Sequence, residues 1–176
     1  MKSLTLPISI SSITVKYLTL VLSFFSFTIP FLLGHPQIMV GTLVNAALFT
    51  SAILFPKKYF WPIIILPSLA VLSRGIIFGP MTFFLVYFLP FIWLGNLGLI
   101  WIFKKTFKDI GFFGAVIFSA LGKQILLYTT ATVFLNFKLV PKVFLITMGI
   151  DQFITALAGG FITYFIFRKY FYGTKL

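Results

Sequence analysis

The chain has 176 residues, 60% of them hydrophobic and 9% charged, and carries a formal charge of +12. A soluble domain holds about 25% charged residues, so the composition excludes a water-soluble fold and, with it, the nucleic-acid partner that a strongly basic soluble chain would suggest. The apolar runs are continuous and helix-length, not alternating as in a membrane barrel; the expected class is an all-α integral membrane protein.

Residues 1–12, MKSLTLPISISS, form a lead into a first span over 13–33. A signal peptide is the competing reading of this span. The span is too long and apolar for that, and no small-residue cleavage site precedes Gly34-His35-Pro36-Gln37. The second span covers 38–55 and is closed by Pro56-Lys57-Lys58. The third, 60–78, and the fourth, 81–103, are joined by Gly79-Pro80, a turn too short for anything but an antiparallel hairpin. A charged loop is expected over 104–109, then a fifth span over 112–135. A loop holding Lys138 and Lys142 leads to a sixth span over 144–167 and a basic tail, RKYFYGTKL. The chain is thus read as one transmembrane domain, 1–176, a bundle of six helices with no internal repeat.

Charge sets the orientation. With the N-terminus inside, that face holds Lys2, Lys16, Lys57, Lys58, Lys104, Lys105, Lys108, Arg168, Lys169 and Lys175, against Lys138 and Lys142 on the other. Ten to two satisfies the positive-inside rule with both termini cytoplasmic. Membrane lipid is then a partner through the headgroups that these cations meet.

Polar residues inside the spans are expensive and are the place to look for function. Arg74 should lie near the outer end of the third span, and a guanidinium keeps its proton there. Asn45 and Asp151 fall deeper in the outer half, and Lys123 and Gln124 near the midplane. Thr147, Asp151 and Thr155 are spaced four apart and share a helix face, as do Gln124 and Tyr128, and Gly41 and Asn45. Arg74, Lys123, Gln124, Asp151, Asn45, Tyr128 and Thr147 are therefore the expected substrate-binding set, lining a cavity open to the outside and closed by Phe-rich packing. Each has a structural alternative: Arg74 snorkelling to headgroups, Lys123 pairing with Asp151, and Asn45 and Asn96 acting as interhelical hydrogen-bond glue. Thr155/Gly159 and Ala156/Gly160 are small-xxx-small pairs that permit close helix contact. Two cations beside one carboxylate lean towards a ligand with a carboxylate or phosphate, and aromatic walls suit a ring.

Chemistry other than binding is not expected. There is no Cys, one His and two acidic residues, Asp109 and Asp151. That leaves no disulfide, no thiol catalysis and no basis for a metal site or cofactor. No catalytic triad, carboxylate pair, phosphate-binding loop or HExxH is present, so neither an enzyme nor an ATPase is expected.

Gly41-Thr42-Leu43-Val44-Asn45-Ala46, Leu66-Pro67-Ser68-Leu69 and Asp151-Gln152 followed by Thr155-Ala156-Leu157-Ala158-Gly159-Gly160, set in six short spans, resemble the substrate-binding S component of energy-coupling factor (ECF) transporters. The resemblance implies a prokaryotic cytoplasmic-membrane protein. It would capture a small, vitamin-like or metal solute from outside and topple beside a transmembrane coupling subunit and ATPase subunits. The rival class is a non-transporting membrane scaffold or assembly subunit, whose intramembrane polar groups only bind helices together.

Overall fold

The computed structural model describes residues 11–33, 35–75 and 79–172. Most of the expected lead, Gly34, the end of the expected third span (76–78) and the last four residues of the tail lie outside the described residues. The helices are α1 Ser12–Leu33, α2 Gln37–Leu54, α3 Phe60–Arg74, α4 Leu85–Asn136, the single turn α5 Val143–Thr147, and α6 Ile150–Tyr172. Short 3₁₀ turns occupy Lys57–Tyr59 and Gly79–Phe84. No strand occurs among the described residues, so the protein is all-helical as expected.

The count of six spans is not reproduced. Among the described residues, four segments are long and apolar enough to cross a membrane: Ser12–Leu33, Gln37–Leu54, Met81–Asn136 and Val143–Arg168. Two physical reasons account for the difference. α3 has 15 residues, about 22 Å of rise against a hydrocarbon core of about 30 Å. The expected fourth and fifth spans run together because residues 104–110 are helical rather than a loop.

That long segment is nevertheless not straight. A straight helix of 52 residues would be about 78 Å long, and residues 95 and 123 would stand about 42 Å apart. Instead a Cβ built on Gly95 lies 3.4 Å from Lys123 Cγ, and the rings of Phe88 and Phe134 are 5.2 Å apart. The reversal is at Gly111, with φ 71° and ψ −179°, a conformation glycine adopts because it has no Cβ. α4 is therefore two antiparallel arms, 85–110 and 112–136. The tip is sealed by edge-on aromatic contact of Phe103 with Phe112 at 5.5 Å.

α2 and α6 are the closest-packed pair, and they run parallel. Gly41 meets Thr155, Gly159 meets Thr42 and Ala46, and Thr163 Oγ1 donates to Ala46 O at 3.2 Å. The small-residue spacing of α6 anticipates a close helix contact, and the fold supplies α2 as the partner. The second arm of α4 lies against α6 with Val116 on Gly160. The first arm lies antiparallel to α3. There Trp93 Nε1 donates to Ser68 Oγ at 2.8 Å, and Asn96 Nδ2 donates to Ile64 O at 3.2 Å.

Two apolar clusters result. One, built on Phe49, Ile63, Ile64, Leu99, Phe103 and Ala156, fills the end of the bundle towards Gly111. The other, built on Phe88, Leu127, Phe144 and Met148, fills the opposite end; there Phe88 stacks on Phe144 at 5.1 Å. The outer surface is apolar as well, with Tyr17, Leu20, Phe24, Ile125, Phe161 and Ile166 all exposed. A soluble monomer does not show continuous apolar surface of that kind; a membrane-embedded protein presents it to lipid.

Candidate functional site

Between the two clusters the helices leave a cavity. Water-sized molecules can centre themselves in about 110 Å³ of it, and one water needs roughly 10–15 Å³ by that measure. Its wall is drawn from the last turns of α1 and α3, the first half of α2, both arms of α4, and the start of α6, together with Met148. All of these meet at the end of the bundle that carries the α1–α2 connection and the 137–149 loop. Pro30 and Pro67 stand in the wall. Each lacks an N–H and interrupts its helix ladder, which loosens packing there.

The polar floor is a row of hydrogen bonds across three elements. Lys123 Nζ donates to Asn45 Oδ1 at 2.8 Å. Asn45 Nδ2 donates to Gly41 O at 2.9 Å and to Thr155 Oγ1 at 3.1 Å. Thr155 Oγ1 donates in turn to Asp151 O at 2.7 Å. Since lysine has no acceptor, this row settles which end of the Asn45 amide faces it. Lys123 is 3% exposed and Asn45 1%. Two of the three Lys123 donors have no acceptor among the described residues, and no ion pair joins Lys123 to Asp151 there. The alternative of a Lys123–Asp151 ion pair is thus not realised, and Lys123 bonds to a neutral amide instead.

Of the expected set, Asn45, Lys123 and Asp151 come together in this wall; Arg74, Gln124, Tyr128 and Thr147 do not. Arg74 is the last residue of α3, and its Nη1 donates to Phe31 O in the last turn of α1. It caps one of the carbonyls that a helix end leaves open, and its charge suits the negative end of the α1 dipole. Gln124 is one position round the helix from Lys123 and points elsewhere. Tyr128 is 48% exposed and leans on Gly149.

Thr147 belongs to α5, not to α6. The helix breaks at Met148-Gly149, so the shared face expected for Thr147, Asp151 and Thr155 holds for the last two alone. The break also moves Asp151 from mid-helix to the first turn of α6, where the helix dipole favours a carboxylate. Gln152 Nε2 closes the break by donating to Thr147 O at 3.1 Å.

The expected substrate-binding set leaves out five polar wall residues: Gln37, Ser68, Asn96, Gln152 and Thr155, the last of which the sequence placed only on a shared helix face. Asn96 was legible as a polar residue in an apolar span, and its Oδ1 has no hydrogen-bond partner among the described residues although the side chain is 2% exposed. The remaining three gave no such signal, because Gln37 and Gln152 border loops and Ser68 is small enough to sit anywhere in a membrane helix. No family model, curated protein or solved structure matches this chain. What the site can do therefore rests on its own chemistry. No cluster of metal-ligating side chains occurs among the described residues. The arrangement offers a lysine amine, amide and hydroxyl groups and an apolar wall, which suits non-covalent capture of a small molecule.

Proposed function

We propose that the protein is the membrane-embedded substrate-binding subunit of an ECF-type uptake transporter, capturing a small solute through an anionic group. The observation that carries this reading is Lys123: a cation 3% exposed in the wall of a cavity, bonded to a neutral amide and left with two donors to spare. A charge so placed is costly unless something compensates it, and an anionic ligand does so with strong, charge-assisted bonds. In this reading α3, although short, and the two arms of α4 each cross the bilayer. That makes six spans with both termini cytoplasmic, in a prokaryotic cell membrane. The ten-to-two distribution of basic residues supports the orientation, and it puts the cavity mouth on the outside. Uptake would need a coupling subunit and ATPase subunits as partners.

A scaffold role is the second reading. It is favoured by the Lys123–Asn45–Thr155 row, which ties α4, α2 and α6 together whatever the cavity holds. Native mass spectrometry of the detergent-purified protein separates the two. The transporter reading expects a bound small molecule that is lost in Lys123→Gln, and ATPase subunits co-purifying from the native membrane. A wild-type protein with no adduct and no ATPase partner refutes it and leaves the scaffold.

A further inference from the structure

We infer that the solute is dipolar: a zwitterion of amino-acid size, with its carboxylate at Lys123 and its ammonium at Asp151. The inference deepens the solute-binding reading and rests on it.

Two opposite charges line one cavity and do not pair. Lys123 is held to Asn45 Oδ1 at 2.8 Å. Asn45 cannot follow it towards Asp151, because both protons of its amide are committed to Gly41 O and Thr155 Oγ1. Asp151 lies four residues before Thr155 on α6, so its backbone position is about 6 Å along the helix axis from that of Thr155. It is half-buried, in the wall, and without an ion pair among the described residues.

A simple anion bound at Lys123 would meet the like charge of Asp151 in a medium where charges are poorly screened. A simple cation bound at Asp151 would meet Lys123. A molecule carrying both charges satisfies both groups, and the site then rejects each half-molecule through the charge it leaves unpaired.

The start of a helix favours a carboxylate without any ligand, so Asp151 alone would mark nothing. Asn96 supplies the independent observation. Its Oδ1 is unpartnered, the side chain is 2% exposed, and it lines the same cavity from the first arm of α4. That oxygen can only accept, and an ammonium is a donor. Between these three groups the wall is apolar, formed by Val40, Val44, Val71 and Ile92 among others. The available 110 Å³ equals roughly seven to eleven water positions. That is room enough for an amino acid with an apolar side chain.

The test uses the full chain purified in detergent and a panel of the standard amino acids. Each is matched with its deaminated acid and its decarboxylated amine, for leucine 4-methylpentanoate and 3-methylbutylamine. Binding is read by calorimetry. At least one amino acid is expected to bind about tenfold or more tightly than either of its partners. Asp151→Asn should erase the preference over the deaminated acid, and Asp151→Glu should restore it in part. If the acid binds as tightly as its amino acid, or Asp151→Asn leaves the preference intact, the dipolar inference is overturned while solute capture through Lys123 stands. If no panel member binds wild type, the inference is overturned, and an absence of any native mass-spectrometric adduct then removes the solute-binding reading with it.

Discussion

Replacing Gly159 with alanine drives a methyl group into the backbone of α2. The new Cβ would lie 2.7 Å from Ala46 N, 2.7 Å from Thr42 O and 2.8 Å from Asn45 Cβ. Non-bonded carbon contacts settle at about 3.5–4.0 Å, so the two helices must part by about 0.8 Å or more. The obstructing atoms are mainly backbone and cannot rotate away. A gap of that size forfeits about a quarter to a half of the dispersion attraction along the contact, and overpacking of this kind costs about 1–3 kcal/mol.

The parting also stretches the Asn45 Nδ2–Thr155 Oγ1 bond, already 3.1 Å, which adds about 1 kcal/mol. Helices in lipid gain nothing from hydrophobic burial against one another, so packing losses are not offset elsewhere. The expected total is about 2–4 kcal/mol. Gly98→Ala is the control: its Cβ would meet nothing within 4 Å, and the change should be neutral or stabilise by up to about 1 kcal/mol through helix propensity. Reversible unfolding by dodecyl sulfate in mixed micelles, followed by tryptophan fluorescence, measures both. A Gly159→Ala protein within about 0.5 kcal/mol of wild type, the range of neutral surface changes, would refute the packing argument. So would equal losses in the two variants.

Other outcomes follow from the same geometry. Asn45→Leu strands the Lys123 ammonium and should cost about 2–3 kcal/mol; adding Lys123→Met should recover part of that loss, a coupling read from a double-mutant cycle in the same unfolding assay. Arg74→Ala uncaps the end of α1 and should destabilise by about 1 kcal/mol, with ligand affinity in calorimetry unchanged because Arg74 is not in the cavity wall. Trp93→Phe removes the 2.8 Å bond to Ser68 Oγ and should cost about 1 kcal/mol, read by denaturation. In intact cells, an impermeant reagent should label a cysteine placed at Lys138 of this cysteine-free chain and should leave one placed at Lys105 unlabelled until the cells are opened. The reverse pattern would reject the proposed orientation.

Composition alone determined that the chain is helical and built for lipid, because 60% hydrophobic residues in continuous runs leave no other way to satisfy the backbone. Spacing alone also marked the close-packing positions of α6, since Thr155/Gly159 and Ala156/Gly160 are small residues four apart, but not that α2 and α4 fill them. The depth of Asn45 and Lys123 was legible for the same reason: polar residues in apolar runs stand out. The tertiary structure decided the rest. Whether 104–109 is a loop or helix turned on the backbone of one residue, Gly111, whose φ of 71° no hydropathy pattern records. Thr147 lost its place beside Asp151 because Met148-Gly149 breaks the helix between them, at a glycine that packs against Tyr128. Arg74 was read as a site residue because an intramembrane cation demands a partner. That partner is the Phe31 carbonyl at the end of a helix 43 residues earlier, and backbone carbonyls, which every residue carries, are invisible to a reading based on side chains.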